Sequence, residues 1–330
     1  MTLIRKPLSL LILGALATLQ PSVVVADATT QVDALESLFG VHAGFRRGQA
    51  KGLCATGHFT GTEAGAALSN AAAFNGQAHP VLARFSVGGG NPRGSDQSRG
   101  ARGLALAMTL PDREQWQMGN SSAPLYFVAH PAQFAPFLEV RTPDPETGVV
   151  DQQALAAFNA AHPETLKQAA WLAEQPVYGS FAANTYWGVN AFRLSDAEGE
   201  QHYVRWSFTP QNAIPAPDSS TLEKMGDDFL AEDLTERLKE GPVRFDFHLQ
   251  LATAADSLVD ATTIWPESNP SVLAGELVII ASSPGPGGDC DGLMFNPLVL
   301  PDGIEPSDDP VLHARPAAYG VSFGRRMSEK

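Results

Sequence analysis

The chain has 330 residues, with 36 acidic against 22 basic side chains and a formal net charge of −14. Phosphate contacts need clustered Lys and Arg, so this balance argues against nucleic-acid partners, and no basic amphipathic face is present to hold the chain on an anionic membrane. The length suits one large domain or two, and no repeat or compositional break divides it.

At the start, Arg5 and Lys6 precede an apolar stretch from Leu8 to Leu19, followed by small residues around Val24, Ala26 and Ala28. This progression predicts a signal peptide over residues 1–26 and a single mature domain over 27–330, in a periplasmic or secreted protein. The apolar stretch is too short to span a bilayer comfortably, and Pro21 with Val23, Val24 and Val25 disfavours a buried first helix. Loss of Arg5 and Lys6 takes the formal charge from −14 to about −16.

Strands are expected at 81–87, 104–110, 125–128, 203–209, 243–251 and 277–281. In Val243–Leu251 odd positions are apolar and even ones polar without exception, which gives one dry and one wet face. Gly88-Gly89-Gly90 lacks the Gly-Lys-Ser/Thr ending of a phosphate loop and reads as a connection. The Ala- and Leu-rich segment 152–173 reads as two helices divided at His162-Pro163, because proline disfavours helical geometry before it. A further helix starts at Ser220-Thr221-Leu222-Glu223 with a pattern like a capping box and runs through Phe229, Leu234 and Leu238 toward Gly241. Strands and helices do not alternate one for one. The expected class is therefore α+β, with helices around an antiparallel barrel.

Cys54 and Cys290 could form a disulfide in an oxidising compartment, and two separate thiols fit equally well. Neither has a neighbouring Cys or His at zinc spacing. Near the C-terminus Arg315 stands four residues before Tyr319, in a segment that begins like a helix. Residues i and i+4 share a helix face, so the guanidinium can sit against the tyrosine oxygen and favour the phenolate, an axial ligand that haem iron accepts.

The run Pro301–Asp309 that leads into this pair resembles the segment preceding the proximal haem helix of catalases. Val41-His42-Ala43, followed about forty residues later by Ala83-Arg84-Phe85-Ser86-Val87, resembles the family's distal histidine and Arg-Phe-Ser strand. Arg99-Gly100-Ala101-Arg102-Gly103-Leu104-Ala105 resembles its Arg-x-x-Arg-Gly-Phe-Ala segment, and Gly119–Phe127 its Gly-Asn-Asn-Thr-Pro segment. The likeness runs from about Val41 to Arg326. Because the chain stops soon after Tyr319, it is similar to the short catalase-related peroxidases, which keep the barrel and lack the wrapping segment and C-terminal helical domain of larger catalases.

The resemblance implies haem b, with Tyr319 as the iron ligand and Arg315 stabilising its anion. It implies His42 as the distal acid–base, supported by Ser86, with Val41 and Phe134 against the haem. Arg84 and one or both of Arg325 and Arg326 would hold the propionates. The distal asparagine falls on Asn120 with one inserted residue, or on Ser121 without a gap. Phe39 occupies the place, three before His42, where the family has a propionate-binding arginine, and Pro316 is expected to kink the proximal helix. The implied activity is peroxidation of a small organic donor by hydrogen peroxide or an organic hydroperoxide, with weak catalase activity. A true catalase, a hydroperoxide isomerase and a non-enzymatic haem or small-molecule carrier are the alternatives.

Overall fold

Val243–Leu251 is a strand whose alternation is carried into packing: Phe245, Phe247 and Leu249 are fully buried, while Arg244, Asp246 and His248 between them are not. The computed structural model describes residues 27–329, and the expected signal peptide lies outside them. Its strands are β1 (Gly52–Gly61), β2 (Ala78–Val87), β3 (Arg102–Thr109), β4 (Gln115–Ser121), β5 (Tyr186–Ser195), β6 (Gln201–Pro210), β7 (Val243–Leu251), β8 (Ser271–Ser283) and β9 (Ile304–Pro306). Every pairing is antiparallel, in the order β4-β3-β2-β1-β8-β7-β6-β5, and Ser121 meets Trp187 to close β4 onto β5. The result is a closed barrel of β1–β8, with β9 paired to β5. Closure removes the free edges that an open antiparallel sheet leaves unpaired.

The barrel is filled by aromatic side chains. Phe59 meets Phe247 edge-on at 5.3 Å, and Trp116 meets Trp206 at 5.5 Å. Such pairs contribute about 0.5–1.5 kcal/mol beyond the apolar area they bury. Residues 125–128, expected as a strand, form bends instead. Leu125 and Val128 are still buried, and the Tyr126 N–H donates to Ala261 O at 2.7 Å. Strands β1, β4, β5 and β9 were not anticipated.

The helices are α1 (Ala28–Phe39), α2 (Glu63–Ala66), α3 (Phe134–Glu139), α4 (Gln152–Ala161), α5 (Lys167–Glu174), α6 (Ser219–Leu222), α7 (Phe229–Glu240) and α8 (Pro310–Ser328). A 3₁₀ turn at Pro163–Leu166 separates α4 from α5, as the proline requires. The helix expected from Ser220 toward Gly241 is broken into α6 and α7, with Gly226 at φ +78° between them, and its cap is the Asp218 carboxylate, which accepts from Thr221 N. Among the described residues no helix is long and apolar enough to cross a membrane.

Helix α8 lies against α1 and the outside of the barrel. Arg325 donates to Glu36 at 2.7 Å and to Asp33 at 2.6 Å, while Arg47 pairs with both Glu36 and Glu329. Cys54 and Cys290 are joined by a disulfide, which resolves the open alternative in favour of a bridge.

Candidate active site

Strand alternation separates the two faces of β2, β3 and β4. Phe85, Leu104, Leu106, Trp116 and Met118 enter the barrel core, so Arg84, Ser86, Gly103, Ala105, Gly119 and Ser121 belong to the outer face. Register aligns them in rows: Ser86 pairs with Gly103 and Gly103 with Ser121, while Arg84 pairs with Ala105 and Ala105 with Gly119. This wall is nearly free of side-chain bulk and carries polar groups at its margins.

Helix α8 crosses the wall. Asp309 caps it by accepting from Val311 N at 2.8 Å, and Pro310 takes the first helical position, where its missing N–H costs nothing. Arg315 Nε donates to Tyr319 Oη at 3.0 Å, so the pair forms although Pro316 stands within the helix. The other side of the guanidinium donates from Nη1 to Asn190 Oδ1 at 2.9 Å, and Asn190 Nδ2 donates to Asp309 Oδ2 at 2.7 Å. A chain of contacts thus runs from the buried Asp309 carboxylate to the tyrosine oxygen. Burial raises the Asp309 pKa despite that hydrogen bond. Burial also opposes the charge on Arg315, but Tyr319, Tyr126 and Asp309 outweigh it and hold its pKa above the ordinary arginine value. The guanidinium packs directly on Gly119, where a Cβ would lie 2.6 Å from Arg315 Nη2 and would have to displace it.

Three arginines converge near Asp291. Arg326 Nη1 donates to Asp291 Oδ1 at 3.0 Å, Arg46 lies 3.8 Å from the same carboxylate, and Arg84 Nη2 donates to Ala50 O at 3.1 Å. Burial, then the charges of Arg84 and Arg326, push Arg46 down to about 9, and burial with the Arg326 charge pushes Arg84 down to about 10. The Nε atoms of Arg84 and Arg326 are buried without a hydrogen-bond partner. Three guanidinium groups around one carboxylate leave an excess of two positive charges, which suits a ligand bearing two carboxylates.

The structure separates several residues expected to act together. His42 does not meet Ser86: its Nε2 hydrogen-bonds to Phe39 O at 3.0 Å, because the ring folds back on the end of α1. The side chain on Ser86 is Gln49, whose Oε1 accepts from Ser86 Oγ at 3.1 Å. Val41 is 59 % exposed. Asn120 faces the barrel interior, where it donates to Leu104 O and accepts from Trp206 Nε1, so Ser121 is the residue of this pair on the outer wall. Arg325 is held by Asp33 and Glu36, whereas Arg326 joins the arginine cluster. Phe134 packs against Phe127 at 5.5 Å, in the cluster that joins α3 to α1. Arg46 and Gln49 escaped the sequence reading. No motif read from the sequence includes either residue: Arg46 enters through its contact with Asp291 at 3.8 Å, and Gln49 through Ser86.

The site is thus a tyrosine–arginine pair on α8 set against a wall of small residues on the outside of a closed antiparallel barrel. The chain belongs to the catalase family, whose description "Catalase" matches residues 33–329. It is 37% identical over 321 residues to a catalase-related peroxidase of Synechococcus elongatus, covering 94% of this chain and 95% of that protein. It is 35% identical to a catalase-related peroxidase of Mycolicibacterium paratuberculosis, covering 89% of this chain and 93% of that one. The solved structure of catalase A from Saccharomyces cerevisiae superposes with a TM-score of 0.76 at 21% identity, covering 98% of this chain and 68% of the yeast chain. Members of the family bind haem, and the residues here fit that group. The arginine cluster, with its excess of positive charge, suits the two propionates, and the buried Nε atoms of Arg84 and Arg326 have no hydrogen-bond partner.

Proposed function

We propose that the chain is a haem b peroxidase that uses hydrogen peroxide or an organic hydroperoxide to oxidise a small organic donor. Membership of the catalase family and the named peroxidase relatives make it an oxidoreductase acting on peroxide. The observation that carries the haem reading is the Arg315–Tyr319 contact of 3.0 Å beside the small-residue wall and the arginine cluster. Tyr319 would ligate the iron, while Arg46, Arg84 and Arg326 would hold the propionates. When bound, haem supplies the two-electron redox centre that peroxide oxidises and the donor reduces. The chain's own part is to keep Tyr319 anionic through Arg315, to neutralise the propionates, and to orient peroxide from the distal wall through Ser86, Ser121 and Gln49.

A non-enzymatic carrier has no use for polar groups grouped on the distal wall, and the Ser86–Gln49 pair favours chemistry over carriage. Export to the periplasm or beyond is part of the same proposal, and the Cys54–Cys290 bridge supports it because disulfides persist in oxidising compartments. The deciding experiment is an absorption spectrum of protein reconstituted with ferric haem, repeated with Tyr319→Phe. A high-spin spectrum that the variant loses or alters supports the assignment. An unchanged spectrum at equal haem content rules Tyr319 out.

A further inference from the structure

We propose that Gln49 is the distal group of this site, and that it offers its ligand a hydrogen bond where a histidine would exchange a proton. The inference rests on the haem reading above. Ser86 Oγ donates to Gln49 Oε1 at 3.1 Å, which turns the amide NH₂ away from the serine. Gly103, opposite Ser86 in the β2–β3 ladder, leaves the space this pair uses. A Cβ there would lie 2.6 Å from Ser86 Oγ and 2.9 Å from Gln49 Oε1.

The backbone of Gln49 has φ +51°, a left-handed conformation that a residue with a side chain adopts only where its surroundings impose it. Those surroundings are visible at the next residue, where Ala50 N–H donates to Gly89 O at 3.0 Å and Ala50 O accepts from Arg84 at 3.1 Å. The Gln49 side chain is exposed, and three residues earlier Arg46 enters the arginine cluster. The amide is therefore held at the wall, beside the cations, with its donor unspent. His42, seven residues earlier, is turned to Phe39 O.

The chemical consequence follows from where electrons and protons go. One peroxide and two donor molecules, each giving up a hydrogen atom, yield two waters and two oxidised donors. When the O–O bond breaks, its electron pair leaves on the outer oxygen, which then requires a proton. An imidazole can carry that proton from one oxygen to the other, whereas a neutral carboxamide can only donate a hydrogen bond. A peroxyacid escapes the requirement, because its outer fragment leaves as a stable carboxylate. The site should therefore favour peroxyacids over hydrogen peroxide.

The test compares haem-loaded wild-type protein with Gln49→Leu, Gln49→His, Ser86→Ala and His42→Ala. Fluoride binding is read by absorption, and rates are measured with hydrogen peroxide and with peroxyacetic acid. Gln49→Leu should weaken fluoride binding about tenfold or more, as loss of a hydrogen bond to an anion requires, and Ser86→Ala should weaken it less. Gln49→His should raise the hydrogen peroxide rate by roughly two or more orders of magnitude and introduce a pH inflection near the histidine range of about 6.5, with a smaller gain for peroxyacetic acid. Wild-type fluoride affinity in Gln49→Leu, or no gain in Gln49→His, overturns the proposal. Loss of activity in His42→Ala would return the role to His42. Protein that takes up no haem at all would fail the parent reading instead, which is a separate and recognisable result.

Discussion

Cys54 stands opposite Arg84 in the β1–β2 ladder, so its bridge to Cys290 delivers the neighbouring Asp291 to the cluster of Arg46, Arg84 and Arg326. The disulfide is thus a fastening for the arginine cluster. It closes a loop with a sequence separation of 236, for which loop-closure entropy gives roughly 5 kcal/mol as a model-dependent upper figure. The variant Cys54→Ser with Cys290→Ser should unfold at a lower denaturant midpoint and bind haem more weakly. Calorimetry and haem titration check both, and haem affinity equal to wild type would detach the bridge from the site.

The excess of positive charge in that cluster predicts dependence on the ligand's carboxylates. Haem dimethyl ester, which lacks them, should bind at least about tenfold more weakly than haem, the scale of losing a charged hydrogen bond. Arg326→Gln should weaken haem itself to a similar degree yet leave ester binding nearly unchanged. This double comparison isolates the contact between arginine and propionate. Equal losses for both ligands would mean that Arg326 acts only through the fold.

How much of this was legible in the sequence depended on what each strand faces. Val243–Leu251 could be read at once, because its outer face is polar and its inner face aromatic. β1 could not, because glycine and threonine recur along Gly52–Gly61, and in β4 the alternation of Gln115–Met118 stops at Gly119 and at Asn120, a polar residue on the inner face. The close approach of Arg315 to Gly119 shows why: on that face bulk is excluded. Of the strands that carry the wall, β2 and β3 could be read from their apolar runs, and β4 could not. Arg315 and Tyr319 were legible because an i,i+4 helix pair is a local fact, whereas Asp291 reaches Arg46 and Arg84 only through long-range folding. His42 was read as the partner of Ser86 from its place after valine, whereas in the fold its ring turns to Phe39 O and the side chain on Ser86 is that of Gln49.

The last turn of α8 carries a pH-dependent clamp. Hydrogen bonding to Arg47 lowers the Glu329 pKa below its ordinary 4.5. A carboxyl depressed in the folded state adds stability that is fully present above the unfolded value and is lost as pH falls through the folded value. Partial exposure limits the contribution to about 1 kcal/mol. Amide exchange in the last turns of α8 should therefore accelerate as pH falls below 4.5, after correction for intrinsic rates. Glu329→Gln should show fast exchange at every pH, and a wild-type profile in that variant would place the clamp elsewhere.

Gly119 offers the sharpest separation of site geometry from fold. Because a Cβ there would lie 2.6 Å from Arg315 Nη2, Gly119→Ala must displace the guanidinium, and the Tyr319 oxygen then loses its donor. The expected cost in stability is about 1–3 kcal/mol, the usual range for overpacking. The more telling outcome is spectroscopic: the haem spectrum should shift in the same direction as in Arg315→Ala, although no charge has been removed. Gly320→Ala is the control, since nothing lies within 4 Å of a Cβ at that helical position and alanine there should stabilise the chain by roughly 0.5–1 kcal/mol. If Gly119→Ala keeps the wild-type spectrum while losing stability, the glycine serves packing alone, and the contact between Arg315 and Tyr319 does not depend on it.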